Sequence, residues 1–169
     1  MAGRDRPRFA AGPAEAARPA QASDVGELWR LHRDVLDALR TRRGGAALRA
    51  ELVQLAETPE ALDRLVAHRD HLVVVGTLDD VIVGYGLASL DRLEAVAHVA
   101  AVYVEPEARQ VGVGGALLDV LTSLATARGC ARIDVDALPG DRALKSLLET
   151  LGYRARLVVL ARCLDPGQA

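Results

Sequence analysis

Aromatic side chains are scarce: the 169 residues include one Phe, one Trp and three Tyr, with a single Met, although half of all residues are hydrophobic. A core must therefore be assembled from Ala, Val and Leu, and the length suits one domain with a sizeable interior. There are two cysteines, Cys130 and Cys163, with no CxxC pair and no histidine at metal-ligand spacing. That excludes a disulfide scaffold and a thiolate metal site, and the expectation is a reduced, intracellular protein with no disulfide and no metal. No apolar run approaches the ~20 residues a membrane span requires. Residues 1–18 contain Arg, Ala, Gly and Pro but no continuous apolar segment of the signal-peptide kind. An excess of one charge is also missing: the net charge is −2, with both signs interspersed, so nothing points to nucleic acid or a membrane surface as partner. The expected address is the cytoplasm.

What is present is a clear change of period along the chain. Residues 1–17 read as a disordered tail, 18–164 as the domain, and 165–169 as a short C-terminal tail. A first strand is expected at about Ala17 to Gln21, then Ser23 or Asp24 as a helix cap before Val25, Leu28, Leu31, Val35 and Leu39 at helical spacing. Ala46 to Glu57 reads as a second helix with Leu48, Leu52 and Leu55 on one face, and Thr58-Pro59 opens a third. From His71 the pattern turns to β: Leu72 to Gly76 and Val81 to Leu87 flank Asp79-Asp80 as a hairpin. Ala95 to Val104 forms a further strand, read as simple alternation, with Val96, His98, Ala100 and Val102 on one face and Ala97, Val99, Ala101 and Tyr103 on the other. A helix through Leu117 to Leu124 stops at Arg128-Gly129, a strand passes Ile133 and Val135, and a short helix spans Asp141 to Leu151 before Gly152. Val158 to Leu160 is expected as a last strand ending near Leu164. This order argues a mixed α/β sheet with helices on both faces.

Chemistry concentrates between the fourth of these strands and the following helix, in Arg109-Gln110-Val111-Gly112-Val113-Gly114-Gly115. Glycines at such a joint let backbone amides converge, and with the free N–H groups of a helix start they favour a phosphate. A Walker A loop would need Gly-Lys-Ser/Thr, and the Rossmann fingerprint would need Gly where Leu117 stands; neither is met. An ordinary glycine-bearing strand-to-helix turn is the plainer alternative.

The run Arg109-Gln110-Val111-Gly112-Val113-Gly114 resembles the acetyl-CoA loop, Arg/Gln-x-x-Gly-x-Gly/Ala, of the GNAT superfamily of N-acetyltransferases. The preceding Val104-Glu105-Pro106-Glu107-Ala108-Arg109 agrees, and Arg18-Pro19-Ala20, Ser23-Asp24 and Leu151-Gly152-Tyr153 fall where that family has similar residues. The resemblance covers about Arg18 to Leu164. It implies a mixed, mostly antiparallel central sheet of six to seven strands flanked by helices on both faces, with acetyl-CoA as acyl donor and a primary amine, on a small molecule or peptide, as acceptor. It further implies that backbone groups of Val102 and Val104 pair with the pantetheine arm, and that amides from Gln110 through Val111, Gly112, Val113 and Gly114 to Gly115 hold the pyrophosphate. The strand would be splayed from its neighbour to admit the arm. A homodimer is compatible with the resemblance.

An amine of pKa ~10.4 must lose a proton before it attacks, at ~4–5 kcal/mol at neutral pH. His98, eleven residues before Arg109, stands at the spacing where some members of the family carry a catalytic Glu. An imidazole there can accept the proton directly or through water; the alternative is a half-buried strand residue without chemical duty. Glu94, Asp91 and Tyr85 are substitutes. The family's Tyr acid on the penultimate helix falls at Leu148 here, and Asp141 stands where Asn is frequent. Tyr103 and Tyr153 are alternative acids or core residues. Cys130 reads as packing, His68, Asp70 and His71 as a solvated cluster, and Arg40, Arg42 and Arg43 as helix-end charges. The missing Tyr keeps a second reading open, a non-catalytic acyl-CoA sensor of the same fold.

Overall fold

The computed structural model describes residues 14–160. Five strands form one sheet in the order β1-β2-β3-β4-β5: β1 (Glu15–Pro19), β2 (His71–Leu78), β3 (Val81–Asp91), β4 (Val96–Val104) and β5 (Arg132–Val135). All neighbours are antiparallel except β4 and β5, which are parallel. Five α-helices accompany them: α1 (Val25–Ala38), α2 (Gly45–Leu55), α3 (Pro59–Ala67), α4 (Val113–Ala127) and α5 (Arg142–Thr150).

Local chemistry explains the boundaries. Thr58 Oγ1 accepts from the Ala61 amide at 3.2 Å, with Pro59 opening α3. Asp79 and Asp80 both take left-handed φ values, 49° and 66°, the backbone that a two-residue turn needs to match strand twist. Asp24 is buried, accepts from both terminal nitrogens of Arg18 at 2.7 and 2.9 Å and from the Gln21 amide, and so fixes the path from β1 into α1.

Two apolar layers sandwich the sheet. Leu28, Leu31, Leu52 and Leu62 of α1 to α3 pack on Val73, Val75, Tyr85 and Leu87. On the other face Val113, Leu117 and Leu121 of α4 meet Leu72, Val74, Ala97 and Val99. Alanine and glycine make this second contact close: a Cβ on Gly76 would stand 2.6 Å from Val113 Cγ1, and one on Gly86 would stand 2.8 Å from Leu121 Cδ1. The scarcity of large side chains is thus matched by a shorter distance between helix and sheet.

The first layer encloses a buried histidine, His32. Its Nε2–H donates to the Ala56 carbonyl at 3.1 Å, which leaves Nδ1 to accept the Tyr85 hydroxyl proton at 2.9 Å. Both hydrogen bonds suit the neutral ring, and burial lowers the His32 pKa below the ordinary imidazole value.

Several expectations are corrected. β1 lies two residues earlier than its anticipated start, so Glu15 to Ala17 belong to the sheet and not to a tail. β4 does not alternate simply. Ala101 pairs with Leu87 and Val99 with Ala88, so Ala100 is an extra, bulged residue. Beyond it the faces exchange: Ala97, Val99, Val102 and Val104 look toward α4, while Ala100 and Ala101 join the α1–α3 layer with Tyr103 against it. The sheet has five strands rather than six or seven, because Val158 to Leu160 pair with nothing among the described residues; Leu157 to Leu160 are 77–90% exposed. Residues 1–13 and 161–169, with Cys163, the expected strand end near Leu164 and the 165–169 tail, lie outside the described residues.

The His32 arrangement sets the sign of a pH effect. The unfolded chain takes up a proton near pH ~6.5 that the folded ring resists, so stability is complete above that pH and falls as the pH drops toward the depressed folded value. His71, whose pKa burial and His68 also lower, acts in the same direction. Urea unfolding at pH 7.5 and 5.5 should show a lower midpoint at pH 5.5, with a smaller difference in His32→Gln. Tyr85→Phe, which strips Nδ1 of its donor, should cost about 1–3 kcal/mol.

Candidate active site

β4 and β5 stay together for four residue pairs, from Val96–Arg132 to Val99–Val135. Past that point β5 leaves through residues 136–140 to α5, and the edge of β4 from Ala100 to Val104 faces no strand among the described residues. The far side of this gap is fixed at two places. Asp141 caps α5 by accepting from the Leu144 amide at 3.1 Å and also accepts from Arg42 Nη1 at 2.7 Å. Farther along α5, Leu147 Cδ2 stands 3.1 Å from where a Cβ on Gly114 would lie. The bulge at Ala100 and the parting of the strands coincide, giving an open strand edge inside a cleft.

At the head of this cleft the chain turns from β4 into α4. Gln110 has φ 67° and Gly112 φ 100°, both left-handed. The first bond of the α4 ladder runs from the Ala116 amide to the Gly112 carbonyl at 3.0 Å. Among the described residues the amides of 110 to 115 meet no hydrogen-bond acceptor. Such amides, with the positive end of the α4 dipole, make a seat for an anion of phosphate size. Gly115 is open on its Cβ side, with nothing within 4 Å. These features fit a pyrophosphate at the turn and an extended arm along Val102 and Val104. The motif residues divide their duties: the Val113 side chain is core, and Val111 is part-exposed. Arg109 folds back, donating from Nε to the Val104 carbonyl at 2.9 Å with its guanidinium 5.9 Å from the Tyr103 ring centre, so it braces the turn.

His98 stands one residue before the strands part. It is exposed, on the α1–α3 face, registered between Ser89 of β3 and Asp134 of β5. It borders an open hollow of about 530 Å³ that Asp70, Ser89, Asp91 and Arg92 also line. Burial pushes the Asp134 pKa up, but hydrogen bonds from Arg132 and Arg156 outweigh it and leave the carboxyl below its ordinary value, so a carboxylate flanks the imidazole at neutral pH.

The remaining candidates are sorted by their contacts. Tyr85 is fully buried and bonded to His32, and desolvation pushes its pKa far up, which removes it from proton transfer. Asp91 accepts the Leu93 and Glu94 amides and so builds the β3–β4 turn. Tyr153 shares a hydrogen bond of 3.1 Å with Thr122 on α4, and Leu148 is buried. Tyr103 lies on the open stretch of β4, with its pKa raised chiefly by burial. Cys130 is a free, half-buried thiol. No cluster among the described residues is arranged to hold a metal ion, and none of their helices is long and apolar enough to cross a membrane. Sequence reasoning missed two contacts here. Arg42 is paired with Asp141 rather than serving as a helix-end charge alone, and Glu15 lies against Gly112, where its Cγ would be 3.0 Å from an added Cβ. Neither had a sequence signal, since the partners are far apart along the chain.

The family model for the acetyltransferase (GNAT) family matches residues 30–153, and the chain belongs to that family. Its class is therefore that of the acetyl-CoA-dependent N-acetyltransferases. No functionally curated protein matches the sequence. Among solved structures, an aminoglycoside acetyltransferase from an uncultured soil metagenomic sample is 18% identical with a TM-score of 0.67, covering 90% of this chain and 99% of that one. The aminoglycoside acetyltransferase AAC(6')-Iy, in complex with a bisubstrate analogue of CoA and acetylneamine, is 19% identical with a TM-score of 0.63 and coverages of 90% and 99%. A transcriptional regulator from Bacillus halodurans is 19% identical with a TM-score of 0.66 and coverages of 89% and 100%. At these identities the likeness is one of fold.

Gly115 offers a test of the anion seat that spares the fold. The Cβ of an aspartate there has nothing within 4 Å, and its charge complements the helix dipole yet places a carboxylate where phosphate is expected. Gly115→Asp should keep or raise the unfolding temperature while weakening acetyl-CoA binding at least ~10-fold by calorimetry, a loss of about 1.4 kcal/mol.

Proposed function

We propose that this protein transfers an acetyl group from acetyl-CoA to a primary amine by direct attack in a ternary complex. The observation that carries the reading is the joining of two features in one cleft: a strand edge without a neighbouring strand and a turn whose amides meet no acceptor, both among the described residues. Backbone groups of Val102 and Val104 would align the pantetheine arm, and the amides of 110 to 115 would hold the pyrophosphate. The thioester would then lie near the bulge at Ala100. The acceptor would approach from the α1–α3 face, on which His98 stands.

On that face His98 takes the ammonium proton, directly or through one water. The amine nitrogen bonds to the thioester carbon, the C–S bond breaks, and CoA leaves as thiolate or thiol. A thiolate is a tolerable leaving group, so buried Leu148 in place of a tyrosine does not forbid the step. Holding amine and thioester together supplies the larger share of rate, while a base contributes ~10²–10⁴-fold. The amines to screen first are aminoglycosides, which two of the related structures carry in their names, followed by small-molecule amines and peptides. The cytoplasm is the address this reading favours, and a homodimer covering Leu157 to Leu160 belongs to it.

The second reading, an acyl-CoA sensor without turnover, is favoured by Leu148 and by the regulator among the similar structures. Amine-dependent release of free thiol separates the two. With a competent acceptor, the intact protein should release thiol saturably, and His98→Ala should lower kcat by about 10²-fold or more with little change in acetyl-CoA affinity. Tight acetyl-CoA binding without thiol release across the amine panel would favour the sensor.

A further inference from the structure

The anion seat at Gln110 to Gly115 has an acidic neighbour from the opposite edge of the sheet. Glu15 opens β1, and its side chain lies along Gly112, the left-handed residue that caps α4. An added Cβ on Gly112 would meet Glu15 Cγ at 3.0 Å, Oε1 at 3.1 Å and Cδ at 3.2 Å, and no other atom is as near. β1 is held there by its pairing with β2, where Glu15 faces Leu78, and by Ala14, whose amide donates to Asp79 Oδ1 at 3.0 Å. Among the described residues no cation pairs with Glu15. Arg109, the nearest cation in sequence to the seat, is turned away onto Val104 and Tyr103. A carboxylate therefore stands beside a turn built to receive an anion, and among the described residues no cation is paired with it.

We infer that Glu15 is an affinity-setting residue for the acyl donor: its charge opposes the pyrophosphate at the Gly112 turn, so that the turn binds CoA species less tightly than its amides alone would allow. This rests on the reading of the turn as the pyrophosphate seat. The physical basis is like-charge repulsion across a short, partly exposed distance, with the α4 dipole attracting both groups to the same end of the helix. Two consequences follow for the chemistry. Donor and product are weakened together, because both carry the pyrophosphate, and release of CoA after transfer is hastened. The effect is screened by salt, unlike a steric obstruction.

The experiment is calorimetric titration of acetyl-CoA and of S-acetylpantetheine, which lacks the pyrophosphate, into the intact chain, Glu15→Gln and Glu15→Lys, at low and high salt. Glu15→Gln keeps the size of the side chain on an exposed edge strand, and thermal unfolding verifies that it is folded. Expected at low salt is acetyl-CoA binding about three- to tenfold tighter in Glu15→Gln and tighter again in Glu15→Lys, with the gain shrinking at high salt and absent for S-acetylpantetheine. Unchanged or weaker acetyl-CoA binding in both folded variants, with the intact chain binding normally, overturns the role of Glu15 and leaves the seat standing. An equal gain for S-acetylpantetheine also overturns it, since the pyrophosphate would not be the group opposed. Failure of the intact, folded chain to bind acetyl-CoA at all removes the seat and the inference together.

Discussion

Parallel pairing between β4 and β5 that begins at Val96 and ends at Val99 is the constraint on which the rest of the molecule turns. A strand edge cannot serve both a neighbouring strand and a ligand, because each backbone amide and carbonyl has one outward direction. The fold resolves this by pairing β4 early and parting it late. The bulge at Ala100 lies at the transition and exchanges the faces of the residues beyond it. Val102 and Val104 then look to α4 while Tyr103 looks to the other layer. The parting would leave the far wall loose if α5 did not return across it, so Asp141, Arg42 and Leu147 matter to the cleft although none is part of the loop motif.

Much of the fold was legible because it rests on local chemistry. Thr58-Pro59 as a helix start, Asp79-Asp80 as a hairpin turn, and Gly129 and Gly152 as helix stops follow from backbone preferences that a few consecutive residues determine. The glycine-bearing turn from β4 into α4 was legible for the same reason, since left-handed φ values and a helix start occupy one short segment. The bulge was not. Ala97-His98-Val99-Ala100-Ala101-Val102 contains no glycine or proline to mark an extra residue, and alanine suits either face. The last strand was misread because β-propensity in Val158 to Leu160 does not by itself provide an edge to pair with. Arg42–Asp141 and Glu15–Gly112 were invisible because they depend on where distant segments come to rest.

The charges around the cleft are arranged unevenly, although the chain as a whole is close to neutral. Arg30 on α1 gathers Glu27, Asp34 and Glu105, Arg18 holds Asp24, and Asp134 is held by Arg132 and Arg156. Such partly exposed pairs add little to stability individually. Their effect is on orientation: Arg30 ties α1 to the end of β4, and Arg156 draws the segment after α5 to the side of β5 beside His98. The turn from β4 into α4 is thus organised by backbone and the face bearing His98 by side chains.

β1 is a short strand whose partner among the described residues, β2, arrives after α1, α2 and α3 have intervened in the sequence. Closing so long a loop costs more chain entropy than closing the tight β2–β3 hairpin. The strand that reaches the mouth of the anion turn is thus joined to the sheet across the longest connection between paired strands. The acidic neighbour of that turn is consequently placed by sheet pairing with a segment more than fifty residues on, and not by any residue of the turn itself.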